Sequence, residues 1–486
     1  MCLRSFKDRS GILSVPRKKP KPKQVHLSSK TDTLPFPPKS HPTRAPEAED
    51  FPLAFFFAAL FFLCGADQFF TFRFFGLNFR SGQLFLLAAV LFLLFRGFHR
   101  TGGISSGERN DLKISLLWLP FFLVYLLAAI SNPSPLRTLV KWGWALFNIG
   151  GTTLVLFTCP GWNGGQKKGM FYGIWAVALV IWVQFIAIYW FGACDSATPA
   201  TAGGQSSAIP GFGGFLGFTQ LAGLEQDVMI FRPNAFYYEP SYAGCAMTLA
   251  FPLMVFLGGG EKTNFFRSIL APSMVLGAIL MTSSRSGILG IFTSLTVIAA
   301  GCLFLKRKVL IYRLTKIILV LLLLGGLLCL SHRAQKFADF VIGSFVPSSV
   351  SARVGDSNSS EGWRWANVKK SLKLWGEHPL LGMGVPPLSR DTGTRGLGMT
   401  SESMWLEVAV ESGTLGLLAF IYAIFGTYFK AVGMSGDWDK KILMTGALAA
   451  HSLVSMNFTS TFPRLDYWIL FFFGIKLLLE KEKSRA

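Results

Sequence analysis

Apolar stretches of about 16–23 residues recur along the chain, separated by short charged or Gly/Pro segments, and no feature limits its fold more. A helix that crosses a bilayer needs about 20 such residues, and inside lipid every backbone polar group must be satisfied within the segment itself. The stretches predict about twelve transmembrane helices, over 51–65, 82–95, 114–131, 140–158, 170–192, 240–258, 268–282, 286–305, 316–331, 403–429, 442–457 and 465–479. The fold class is all-α, a polytopic integral membrane protein. Composition agrees: of 486 residues 51% are hydrophobic and 15% charged, more apolar surface than one soluble core absorbs. The first stretch, "FPLAFFFAALFFLCG", is short, and the "FFTFRFF" that follows suits the interface.

Four regions follow. Residues 1–50 form a Pro-, Ser- and Lys-rich basic tail expected to be disordered, without the apolar core of a secretory signal. Helices 1–9 occupy 51–331, a large loop with amphipathic helices 332–402, and helices 10–12 with a short tail 403–486. Lys and Arg gather in cytoplasmic loops. With the N-terminus inside, the internal segments carry "KRK", "QKK", "KK" and "KEKSR", far more cations than the outer loops other than the long one. Both termini are therefore expected in the cytoplasm.

The formal net charge of +21 is accounted for by this topology and the tail "RKKPKPKQ", which has no aromatic interleaving; no nucleic acid is expected as a partner. The seven cysteines are scattered without CxxC or His spacing, so no metal site is read from them. The glycines of "GGQSSAIPGFGGFLGF" lack the strand and helix of a phosphate loop and suit a flexible re-entrant or interfacial segment, and "GGGEKT" lacks the Gly-Lys pair of a P-loop.

Chemistry-capable residues fall on the outer face. "FRPNAFYYEPSYAG" (231–244) leads into a span with Arg232 and Glu239. "MTSSRSGILG" (281–290) turns between two spans at Arg285, where an arginine at bilayer depth snorkels, pairs or meets an anion. The long loop holds about nine Lys+Arg against about six Asp+Glu. Its "SSEGWRWANVKKSLKLWG" reads as an amphipathic helix with Trp365, Val368, Leu372 and Trp375 on a membrane-facing side, capped by Ser359 or Ser360 and stopped at Gly376. Arg232, Arg285 and Arg364 thus come from separate segments to one face. Diphosphate is the anion that paired guanidiniums grip bidentately while stabilising charge on a leaving group.

The order of these pieces, with "WRWANVKKSLKLWGEHPLLGMG" and "SESMWLEVAVESGTLGLL", resembles the O-antigen polymerase and ligase superfamily, bacterial inner-membrane enzymes of about twelve spans with a large periplasmic loop late in the chain. The resemblance covers roughly 230–430. It implies inverting glycosyl transfer at the periplasmic face, from a glycan on undecaprenyl diphosphate to a hydroxyl, with no metal and no nucleotide sugar as cofactor. The partners it implies are that lipid-linked glycan, membrane lipid, and assembly proteins such as a flippase or chain-length regulator. The family's two arginines match Arg232 and Arg285. Ligases of the family carry a His-Asn pair before the re-entry leucine, and counting back from Leu406 finds Glu402 and Ser403. The departure favours a polymerase, with a ligase as the alternative and a lipid-linked sugar transporter as the reading from another class. Glu402 and Glu239 are the candidate bases, although Glu239 also suits a helix N-cap ahead of Pro240. Tyr238, Trp365 and Trp405 are candidate sugar or lipid contacts, which a membrane aromatic belt explains as well. Glu411 and Gly413 match the family and are assigned to helix entry and packing.

Overall fold

The computed structural model describes residues 47–65, 71–74, 77–99, 113–131, 135–158, 162–191, 207–208, 218–225, 228–235, 237, 239–259, 264–345, 360–385, 403–458 and 464–480. The basic tail up to residue 46 lies outside them, as do Tyr238 and Glu402.

A helix stands over each predicted stretch. In chain order they are α1 (Glu47–Gly65), α2 (Ser81–His99), α3 (Leu119–Ile130), α4 (Pro135–Leu146), α5 (Lys167–Tyr189), α6 (Pro240–Leu257), α7 (Ala271–Met281), α8 (Arg285–Phe304) and α9 (Lys308–Leu328). The long loop contributes α10 (His332–Gly343) and α11 (Ser360–Glu377), and α12 (Met404–Met434), α13 (Trp438–Ala450) and α14 (Leu465–Leu479) complete the chain. α4 continues through a π-turn, Phe147–Gly151, to Thr158, and α13 through another, His451–Ser455, to Phe458. Among the described residues, the helical runs Lys113–Ile130, Gly164–Tyr189, Pro240–Leu257, Arg285–Phe304, Lys308–Leu328 and Met404–Met434 are long and apolar enough to cross a membrane, and Pro52–Cys64, Ser81–Phe95 and Phe266–Met281 are shorter apolar helices. α14 is buried along its whole length, with Trp468 and Phe472 in the centre of the bundle.

Two small antiparallel sheets break the helical pattern. β1 (Thr71–Phe74) and β2 (Leu77–Arg80) turn "FFTFRFF" into a hairpin. The glycine-rich approach to α6, read above as a flexible segment, contains a sheet of β3 (Ser207–Ala208), β4 (Phe218–Glu225) and β5 (Val228–Pro233), in which Arg232 stands opposite Gln220.

The expected span 403–429 is not one rod. Gly413 inside α12 has φ 67 and ψ −169, and the chain reverses there. Trp405 and Phe420 are fifteen positions apart, about 22 Å along a straight helix, yet their rings lie 5.6 Å apart. α3 measures the same reversal: Glu411 meets Tyr125, whereas Phe420 packs on Trp118 and Phe121, with centroids 6.0 and 5.0 Å away. Residues 404–412 are a short re-entrant helix that runs toward the Tyr125 end of α3, and after Gly413 the chain returns toward the Trp118 end. A Cβ at Gly413 would strike the backbone of Leu380 and Leu381. The loop after α11 straps the break: Met383 N–H donates to Val410 O (2.9 Å), Gly384 N–H to Glu411 O (3.1 Å), Thr414 N–H to Pro379 O (2.7 Å) and Leu415 N–H to Leu380 O (3.3 Å). The strap has its own left-handed glycines, Gly382 at φ 70 and Gly384 at φ 72, a backbone region other residues enter at a cost. "LLGMG" and "ESGTLG" are therefore two halves of one joint.

Candidate functional site

The approach to α6 is fixed from α5. The Gln184 amide oxygen accepts from Asn234 N–H (3.2 Å) and Ala235 N–H (2.9 Å), and its NH2 donates to Ala235 O (2.8 Å). Tyr189 Oη donates to Phe231 O (2.6 Å) and accepts from Phe231 N–H (3.1 Å). Ala235 is thereby held at φ 51, and Ser283, in the turn before α8, stands at φ 49. Left-handed conformations at non-glycine residues are strained and tend to gather at functional positions. Here one lies beside each of Arg232 and Arg285, while the third, Lys306, is in the turn at the other end of α8.

Arg232 is half-buried and its Nε donates to Thr282 O (3.1 Å), which brings β5 to the turn before Arg285. Ser284 caps α8 by accepting from Gly287 N–H (3.1 Å). Gly244 and Gly287 face each other where the first turns of α6 and α8 touch; a Cβ on Gly287 would lie 3.0 Å from Gly244, so only small residues permit this approach. Burial, then the neighbouring charges of Arg285 and Arg364, push the Arg232 guanidinium down to about 10, with Glu239 opposing them. Of the three arginines expected at the site, Arg285 and Arg364 thus each lie within electrostatic reach of Arg232.

Glu239 occupies the N-cap position of α6, but its carboxylate makes no capping bond to the helix; it accepts from Ser241 Oγ (2.9 Å). The capping role considered above therefore belongs to the backbone, since Glu239 O accepts from Tyr242 N–H and Ala243 N–H. The carboxylate lies within electrostatic reach of Arg232.

Arg464, which sequence reasoning passed over, is buried before α14. Its Nε and Nη2 donate to the Asp466 carboxylate at 3.2 and 3.3 Å, and its guanidinium lies 4.9 Å from the Tyr237 ring and 4.7 Å from that of Tyr242. Tyr467 Oη donates to Tyr242 O (3.2 Å), and the His451 ring stacks on Tyr467 at 5.7 Å. Tyr237 and Tyr242, tyrosines of "FRPNAFYYEPSYAG", thus hold a structural cation. Trp405 Nε1 donates to Ser452 O (3.0 Å), in the same π-turn as His451, so the deep end of the re-entrant helix at Ser403 stands against these elements. The N-termini of α6, α8, α14 and the re-entrant helix converge here, each presenting the positive end of its dipole.

The remaining candidates divide. Trp405 is packed on Phe420 with its indole N–H engaged, which suits the core. The amphipathic face expected of α11 is split: Trp365 and Leu372 are about half exposed, with Lys369 over the Trp365 ring at 5.7 Å, whereas Trp375 turns inward and donates to Thr414 Oγ1 (3.3 Å). The side of α11 against the bundle carries half-buried Arg364 and Asn367 and buried Ser371, because one end of α11 lies on the Gly413 joint and the other reaches the arginines. Glu402 and Tyr238 lie outside the described residues.

A further ionic group was missed entirely. Glu407 and Glu411, one turn apart on the re-entrant helix and both buried, accept from Lys141 Nζ of α4, the second at 2.5 Å. Tyr125 Oη donates to Glu411 Oε2 (2.5 Å). Glu411 therefore does more than ease helix entry, and the described spans are less free of charge than their hydropathy suggests. The available signal was two carboxylates and a lysine inside apolar runs, where ionisable groups are costly and need partners.

Such a bundle defines an integral membrane protein with a polar site at the ends of its helices. Residues 270–421 match the family model described as O-antigen ligase, and this similarity supports the O-antigen ligase-like superfamily. The matched stretch runs from α7 to α12 and takes in Arg285, Arg364, the strap and the Gly413 joint; Arg232, Glu239 and Arg464 fall outside it. No curated protein matches the chain.

Proposed function

We propose that the chain is a glycosyltransferase that polymerises oligosaccharide repeat units carried on undecaprenyl diphosphate, at the periplasmic face of a bacterial inner membrane that its chain crosses twelve times with both termini in the cytoplasm. The observation that carries this reading is that Arg285 and Arg364 lie near enough to Arg232 to add to the effect of its burial, which together bring its guanidinium down to about 10. Like charges held this tightly repel unless an anion joins them. A diphosphate suits three guanidiniums, each able to donate two parallel bonds.

The reaction breaks the bond between the sugar anomeric carbon and the diphosphate oxygen and forms one to the acceptor hydroxyl oxygen. Negative charge develops on the leaving diphosphate, where the arginines and helix N-termini stabilise it. The hydroxyl proton passes to a carboxylate. Glu402, which stands where the ligases of the family carry histidine, and Glu239, within electrostatic reach of Arg232, are the two candidates for that carboxylate. Tyr238 and Trp365 supply sugar or lipid contacts. The chemistry calls for no metal or nucleotide sugar.

The family description favours one competing reading, a ligase that moves finished glycan to lipid A-core or another acceptor. Glycan chain length on a gel separates them, in cells lacking the gene and complemented with wild type, Arg285→Ala or Glu402→Gln. The polymerase reading expects single repeat units still attached to their normal acceptor in the deletion, and at least tenfold less long polymer with Arg285→Ala at normal protein level. Unattached long lipid-linked chains would make it a ligase, and full polymer from Arg285→Ala would remove the diphosphate role.

A further inference from the structure

Among the described residues, the re-entrant helix 404–412 is short for a helix to be stable alone, so its position is set by what grips it. Its outer end is held by the strap through Val410 and Glu411, and its deep end by Trp405 on Ser452. Between them, Lys141 reaches from α4 to both Glu407 and Glu411. Carboxylates one turn apart on a helix repel each other, and burying both is unfavourable without a cation between them. Lys141 supplies that cation, and Tyr125 of α3 adds a donor to Glu411. Valine 385 of the strap joins the same unit, since Val385 N–H donates to Thr138 Oγ1 on α4 (3.0 Å).

We propose that Lys141 is a positioning residue for the proposed glycosyl transfer: by clamping Glu407 and Glu411 it sets where the Ser403 end of the re-entrant helix stands against the arginine site. α4 carries none of Arg232, Arg285, Arg364 and Arg464, so the clamp acts on the geometry of the reacting groups and not on the grip on diphosphate. Loss of Lys141 leaves two facing carboxylates, and the helix shifts to separate them. Removing one carboxylate together with the lysine relieves the repulsion and returns the helix to its place. This inference rests on the glycosyltransferase reading.

The test uses purified full-length protein and, as donor, the lipid-diphosphate glycan fraction extracted from cells lacking the gene; release of polyprenyl diphosphate is followed per folded enzyme. Lys141→Met is expected to lower turnover at saturating donor at least tenfold while the half-saturating concentration stays within twofold. The double variant Lys141→Met/Glu407→Gln is expected to regain at least half of wild-type turnover. Wild-type turnover in Lys141→Met overturns the proposal, as does a raised half-saturating concentration with turnover intact, or a folded double variant that stays inactive. If Lys141→Met does not accumulate, the double variant decides by the same criterion; if neither accumulates, the cluster is a folding element and the proposal fails. A wild-type protein that releases no polyprenyl diphosphate would sink the glycosyltransferase reading itself, before any variant is compared.

Discussion

Arg232 shows how much of a residue's chemistry belongs to its neighbours. Desolvation and the charges of Arg285 and Arg364 lower its guanidinium to about 10, still a cation at any physiological pH. A lysine there begins from about 10.4, and the same burial and neighbouring cations would lower it. A base with a lowered pKa is charged below that value and neutral above it. Arg232→Lys should therefore lose activity relative to wild type as pH rises toward 9, beyond the general deficit of a lysine in a bidentate site. Polymer formation between pH 6 and 9, as a ratio to wild type, checks this; parallel profiles would show that the site does not depress the introduced amine. Arg232 and Arg285 were visible in the sequence as arginines at span edges. Arg464 and Lys141 were not, because each acquires meaning from a partner hundreds of positions away in the chain or from rings stacked on it, as Lys141 does from Glu407 and Glu411.

Elements carry a second lesson. "SESMWLEVAVESGTLGLLAF" has the composition of an uninterrupted helix, and its hydropathy qualifies it as a span. The reversal at Gly413 depends on a single left-handed residue and on a strap that supplies N–H donors to the carbonyls freed there. Gly413→Ala should be destabilising by roughly 1–3 kcal/mol from the backbone alone, with the clash against Leu380 added. Gly433→Ala, later in α12 with open space around it, should be neutral or slightly stabilising. Melting of the detergent-solubilised proteins compares the two; equal melting temperatures would mean the joint tolerates a side chain. The amphipathic reading of α11 failed in part for a related reason. Helical periodicity identifies which residues share a face, but Arg364 and Trp375 were drawn inward by a polar site and a joint that periodicity does not encode.

At the scale of the whole molecule, the proposed twelve crossings place Trp365 and Phe265 on opposite sides of the membrane, and both are well exposed. In a background without the seven native cysteines, a single cysteine at 365 should react with an impermeant maleimide in intact spheroplasts, and one at 265 only after permeabilisation. Labelling of both from outside would overturn the orientation read from the charged loops. The helices were legible because a long apolar run leaves the chain few options: its backbone must pair with itself, and within a bilayer a helix does so locally. The edge arginines were legible because charge beside such a run is conspicuous. Local sequence by itself determined the helical class, the order of the elements and the candidate cations. Tertiary structure alone decided the reversal at Gly413, the convergence of helix N-termini on the arginines, and the Lys141 clamp, because each depends on segments distant in the chain meeting in a low-dielectric interior, where a charge or a freed carbonyl is tolerated only when another segment supplies its partner.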